Sequence, residues 1–79
     1  MKAKVYVTLK KSIADPQGTA IQGALKKIGY PNIEEVRIGK LIELDLGEVS
    51  QETAAQQVKE MCEKLLANTV IEDYRFELE

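Results

Sequence analysis

Histidine is absent from this chain and cysteine occurs once, at Cys62. These two shortages remove much chemistry at the outset. A single thiol closes no intramolecular disulfide, and one Cys without His does not assemble a four-ligand zinc site. With no imidazole there is no ordinary general base to activate a hydroxyl or thiol nucleophile. Apolar runs of membrane-spanning length, roughly 20 residues, are missing as well. The first residues enter a strand-like pattern directly, so no signal peptide is expected. Nor is there an excess of one charge: 11 Lys and Arg stand against 13 Asp and Glu, a net charge of −2. Mixed signs describe an ordinary solvated surface, not a footprint for nucleic acid or for an anionic membrane. A lone thiol suits a reducing compartment, and a cytoplasmic protein is expected.

The chain has 79 residues, one domain spanning 1–79, with no internal repeat, linker or low-complexity tract. A domain so short buries a modest share of its surface and usually needs a disulfide, a metal or a partner. The first two are excluded, so association with another chain is the expected support.

Periodicity then gives the elements. Residues 3–9 alternate, with Ala3, Val5, Val7 and Leu9 on one side and Lys4, Tyr6 and Thr8 on the other, which predicts a half-buried strand. Asp15-Pro16 reads as a helix start, because Asp caps well and Pro at the first helical position loses no needed N–H. Ala20, Ile21, Ala24, Leu25 and Ile28 form one helical stripe. Gly29 ends it and Pro31 prevents resumption. Residues 33–47 read as two strands, Val36 and Ile38 on the first and Ile42, Leu44 and Leu46 on the second. For both sets to face one core, the turn must preserve parity. A three-residue loop at Gly39-Lys40-Leu41, or an equivalent bulge, is therefore expected.

Ser50 is the next N-cap, with Glu52 in the first turn. Ala54, Ala55, Val58, Met61, Cys62, Leu65 and Leu66 form a second stripe, and Asn68 is expected to end it in the left-handed conformation. Residues 70–78 carry Tyr74, Phe76 and Leu78 on one side. The order β-α-β-β-α-β predicts an α+β two-layer sandwich of ferredoxin-like type: a four-stranded antiparallel sheet with two helices on one face. The expected core is Val5, Val7, Leu9, Ile21, Leu25, Ile28, Val36, Ile38, Ile42, Leu44, Val58, Met61, Cys62, Leu65, Tyr74 and Phe76. On that reading Leu65→Ala costs about 2–5 kcal/mol.

Such a sandwich hosts many functions, so function has to come from a site. An RNA-binding face needs several aromatic platforms and a basic setting. The outer face here offers Tyr6 alone, amid Lys4, Arg37 and Arg75 and a slight excess of acids. Residues 11–18 contain neither the paired thiols of a metallochaperone loop nor the Arg of an acylphosphatase-like anion loop. Cys62 lies inside an apolar stripe, where thiols are inert packing groups. No catalytic, cofactor-binding or metal-ligating residue is assigned. Two segments have a second reading. Asp15-Pro16-Gln17-Gly18 is either a capped helix start or an anion-accepting N-terminus. Val36-Arg37-Ile38-Gly39-Lys40 is either a solvated turn or an exposed cationic tip that touches a partner.

Four segments, in order and spacing, carry a resemblance. They are residues 5–10 (VYVTLK), 15–18 (DPQG), 36–40 (VRIGK) and 60–74 (EMCEKLLANTVIEDY). The chain resembles the PurS family, the small subunit of bacterial phosphoribosylformylglycinamidine synthase, over nearly its whole length. The resemblance implies a non-catalytic structural part in an ATP-dependent ligase and glutamine amidotransferase complex of purine biosynthesis. It implies three partners: a second copy of this chain, a glutaminase subunit that releases ammonia, and a large synthase subunit. ATP and magnesium belong on the synthase subunit, with no cofactor on this chain. The small subunit, as a dimer or higher, joins the other two and assists ammonia transfer. Asp15, Gln17, Gly18, Arg37, Gly39 and Lys40 are the expected partner-contact residues. The competing reading is an ACT-type small-molecule-sensing domain, which shares the element order and also dimerises.

Overall fold

A computed structural model describes all residues from Met1 to Glu79. The elements are β1 (Lys2–Leu9), α1 (Pro16–Lys27), β2 (Gly39–Asp45), α2 (Gln51–Met61), a π-helical turn (Cys62–Leu66) and β3 (Glu72–Leu78). The sheet is three-stranded, in the order β2-β1-β3. Both pairings are antiparallel, with Val5 opposite Ile42 on one side and opposite Phe76 on the other. The alternation in β1 and β3 thus meets in register, and Val58 of α2 and Cys62 of the π-helical turn cluster with Ala3, Val5 and Val7.

The expectation of a four-stranded sheet is overturned. Residues 33–38 form no strand, and there is no hairpin at 39–41. Gly39 and Lys40 are instead the first residues of β2, opposite Thr8 and Val7 of β1. The physical reason is a competition for backbone groups. The Ile38 N–H donates to the Asp15 carboxylate at 2.7 Å. The Ile33 and Glu34 carbonyls accept from the Gln22 side-chain amide at 2.9 and 2.8 Å. With these groups taken by side chains of the preceding segment, no ladder forms along residues 33–38.

Both helix starts agree with the sequence. Asp15 Oδ1 accepts from the Gly18 N–H at 2.9 Å, and Ser50 Oγ accepts from the Thr53 N–H at 3.1 Å. Helix α1 ends as expected at Gly29, whose φ is +109°. The Tyr30 N–H reaches back to the Leu25 carbonyl and the Gly29 N–H to that of Lys26, the double closure that a left-handed residue permits.

Helix α2 ends differently. The Ala67 N–H donates to the carbonyl of Cys62, five residues earlier, at 3.0 Å. This wider turn inserts one residue between core positions. Ala67 is thereby buried and Leu66 half-buried, while Leu65 swings out to 82 % exposure. Asn68 is not left-handed; its side-chain oxygen accepts from the Val70 N–H in a local turn.

The core is correspondingly smaller than expected. Val5, Val7, Val58 and Cys62 are wholly buried, joined by Ala3, Ala54 and Ala67. Leu9, Leu25, Val36, Ile38, Ile42, Leu44, Met61, Tyr74 and Phe76 are half-buried. Ile21, Ile28 and Leu65 are exposed. The first two follow from the placement of α1, which makes no extensive contact with the sheet or with α2. The molecule measures 48 × 25 × 14 Å, with a radius of gyration of 16.0 Å. A compact domain of this length has a radius near 12 Å. Helix α1 is an arm reaching away from the sheet.

Candidate functional site

The expected contact residues gather around the root of that arm. Asp15 is buried at the N-terminus of α1, its two oxygens accepting from the Gly18 and Ile38 amides. The Ile38 amide, and after it the Gly18 amide, hold the Asp15 carboxyl below the ordinary aspartate range, because each donated hydrogen bond favours the charged form. Gly18 is buried against the Val36 carbonyl, and a Cβ there would lie 1.9 Å from that oxygen. Only glycine fits so close an approach. Arg37 turns inward and donates from one guanidinium nitrogen to the carbonyls of Lys10 and Ile13, both at 2.9 Å. Gln17 and Lys40 stay exposed and border a cleft of about 300 Å³ that Asp15, Ile38, Gly39 and Glu72 also line.

Five of the six residues are thus brought together by direct contact or by sharing that cleft, and the sixth, Arg37, braces the neighbouring loop. Their roles differ. Asp15, Gly18 and Arg37 use their polar or steric features inside the chain, whereas the Lys40 side chain is 56 % exposed, its ammonium 4.0 Å from the Glu72 carboxylate. Gln22, which the sequence reading did not single out, belongs with the first group. No local signal marks it, since its partners lie 11 and 12 residues away in a segment without regular structure.

A second feature is apolar. Leu44, Met61, Leu65 and Leu66 line an open groove of about 530 Å³ between β2 and the end of α2. In a ferredoxin-like sandwich the first helix packs beside the second on the sheet. Here α1 is elsewhere, and its own stripe is left in solvent, with Ile21 40 % and Ile28 70 % exposed. One chain therefore presents both an uncovered apolar helix and an uncovered apolar groove.

The open face of the sheet pairs its own charges. Lys4 meets Glu79 at 3.2 Å, Arg75 meets Glu77 at 3.1 Å, and the Arg75 guanidinium lies 3.9 Å above the centre of the Tyr6 ring. Burial pushes the Cys62 thiol pKa up, which makes it a poor nucleophile. No three His, Cys, Asp or Glu side chains stand close enough to hold a metal ion, and no helix is long and apolar enough to cross a membrane.

Residues 2–79 match the family model described as PurS, phosphoribosylformylglycinamidine synthase. The chain is 59 % identical over 78 residues to the phosphoribosylformylglycinamidine synthase subunit PurS of Bacillus subtilis (strain 168), covering 99 % of this chain and 92 % of the relative. It is 53 % identical over 75 residues to the same subunit of Synechocystis, covering 95 % and 75 % of the two chains. Among solved structures, the PurS of Methanocaldococcus jannaschii, described as one of the subunits of formylglycinamide ribonucleotide amidotransferase, superposes with a TM-score of 0.88 at 44 % identity, covering 99 % of this chain and 94 % of that one. A chain in the structure of PurLQS from Thermotoga maritima superposes with a TM-score of 0.87 at 32 % identity, covering 96 % and 93 %.

Proposed function

This chain belongs to the PurS family of phosphoribosylformylglycinamidine synthase, and from that premise we propose how it serves the complex. It is a subunit of that synthase, in purine biosynthesis. Its part is structural: it joins a glutaminase subunit to the large synthase subunit and helps ammonia pass between them. Glutamine, ATP, magnesium and formylglycinamide ribonucleotide are handled by the other chains, and this chain binds no cofactor. The observation that carries this reading is the shape. A small chain whose first helix stands off its own sheet is built to be completed by others.

The first partner is a second copy. Its α1 stripe fits the groove of Leu44, Met61, Leu65 and Leu66, and the reciprocal contact forms about a two-fold axis. Burial of both surfaces supplies the stabilisation that the small core lacks. Gln17 and Lys40, exposed at the mouth of the cleft, are the positions that meet another subunit, while Asp15, Gly18, Arg37 and Gly39 shape the surface around them.

The test is reconstitution with the glutaminase and synthase subunits. Glutamine-dependent formation of the formylglycinamidine product should require this chain, while ammonia-dependent formation by the synthase subunit should proceed without it. Product formation by this chain alone, or full glutamine-dependent activity in its absence, would overturn the reading.

A further inference from the structure

Helix α1 has no extensive contact with the sheet or with α2, yet it has a definite direction, so packing against those elements does not supply it. Polar ties to the segment at 33–38 hold it at its root. Asp15 Oδ2 accepts from the Ile38 N–H, 23 residues ahead, at 2.7 Å. Gln22 donates to the Ile33 and Glu34 carbonyls. Arg37 reaches back across 27 and 24 residues to the Lys10 and Ile13 carbonyls, which brace the loop before the helix. Between these ties the backbone at Gly18 is pressed against the Val36 carbonyl.

Two attachment points on one helix fix its direction where one would leave a pivot. Gly18 and Gln22 are four residues apart, about 6 Å along the axis. Hydrogen bonds fix geometry because they weaken steeply with angle, and those made to a carboxylate or a guanidinium are the stronger kind. We propose that Asp15, Gln22 and Arg37 form a clasp between residues 10–22 and 33–38 that aims α1 as a rigid arm, and so sets the angle at which it reaches a second copy. They are positioning residues: none needs to touch the partner. The clasp rests on the docking of α1 described above for its purpose, though not for its existence.

Two variants separate aiming from folding. Asp15→Ser keeps a side-chain cap for α1 but is too short to reach Ile38. Gln22→Ala removes the second attachment and raises helix propensity. The full-length chain carries spin labels at Lys26→Cys on α1 and Glu77→Cys on β3, with Cys62→Ala to leave no third thiol. It is diluted into unlabelled chain, so that only distances within one chain are read. The parent should give one narrow distance distribution. Asp15→Ser with Gln22→Ala should broaden and shift it, with exchange of the Ile38 amide at least about ten-fold faster. Helix content and the protected amides of β1 should be unchanged. The dimer dissociation constant should rise at least about ten-fold as the arm loses its aim.

An unchanged distribution in a variant whose Ile38 amide exchanges faster overturns the clasp. Loss of protection in β1 overturns it too, since the cluster would then hold the fold and not the arm. If the parent chain does not self-associate through α1, the docking falls, and the intrachain distances still decide the clasp.

Discussion

Leu65 is 82 % exposed on the π-helical turn while Val58, seven residues earlier on the same stripe, is wholly buried. Their truncations should therefore behave oppositely. Below the concentration at which chains associate, Leu65→Ala should change unfolding free energy by less than about 0.5 kcal/mol. Val58→Ala should cost about 1–3 kcal/mol, since it removes buried methyl groups beside a closely packed sheet. Urea unfolding at low protein concentration is the measurement. At higher concentration Leu65→Ala should weaken self-association, because Leu65 lines the open groove. Asp15 gives a pH signature. Its carboxyl is held below its ordinary value near 3.8 by the Ile38 and Gly18 amides, so as pH falls the unfolded chain takes up the proton first. Its contribution is complete above the ordinary aspartate range and is lost as pH falls through the lower folded value. The stability difference between the parent and Asp15→Asn should hold constant near neutrality and shrink in acid. A difference that grows in acid would contradict the assignment.

Helix α1 and residues 33–38 act as one element, a helical arm and the return strap that steadies it. Its apolar stripe includes Ile21 and Ile28, both exposed. Ile21→Ser with Ile28→Ser should leave the sheet and α2 intact, with far-ultraviolet dichroism and β1 amide protection close to the parent. The same pair should abolish self-association, read by sedimentation, because it places hydroxyls where apolar contact is required. The strap also decides which surface charges probe partners cleanly. Lys40→Glu alters an exposed ammonium. Arg37→Glu would also remove two internal hydrogen bonds, and any loss of assembly in it would mix folding with contact.

At the scale of the whole molecule, a radius of gyration of 16.0 Å against about 12 Å for a compact chain of this length marks a protomer that does not close on itself. Sedimentation equilibrium at micromolar concentration should find a dimer or larger, with apparent stability rising with concentration because folding and association are linked. A stable monomer over the whole range would contradict this. The solved relatives share the shape over nearly their full length, with TM-scores of 0.87 and 0.88 at 32 % and 44 % identity.

Local chemistry settled much of this from the sequence alone. The alternation in β1 and β3, the caps at Asp15 and Ser50 and the stop at Gly29 each depend on neighbours a few residues away, and each is where it was read. The spaced segments sufficed for the family. Where the structure departs from the local pattern, the deciding partner is distant. Residues 33–38 alternate well enough for a strand, but Asp15 and Gln22 claim their backbone groups from 11 to 23 residues away. The stripe of α2 runs on through Leu65 in a helical projection. The π-helical turn at Cys62–Leu66, closed by the Ala67 N–H on the Cys62 carbonyl, widens the helix and puts Leu65 in solvent. The stripe of α1 is real, but periodicity states only that a helix has an apolar face. Whether its own sheet or another chain covers that face depends on the direction in which the helix leaves the sheet, and tertiary contacts at its root decide it.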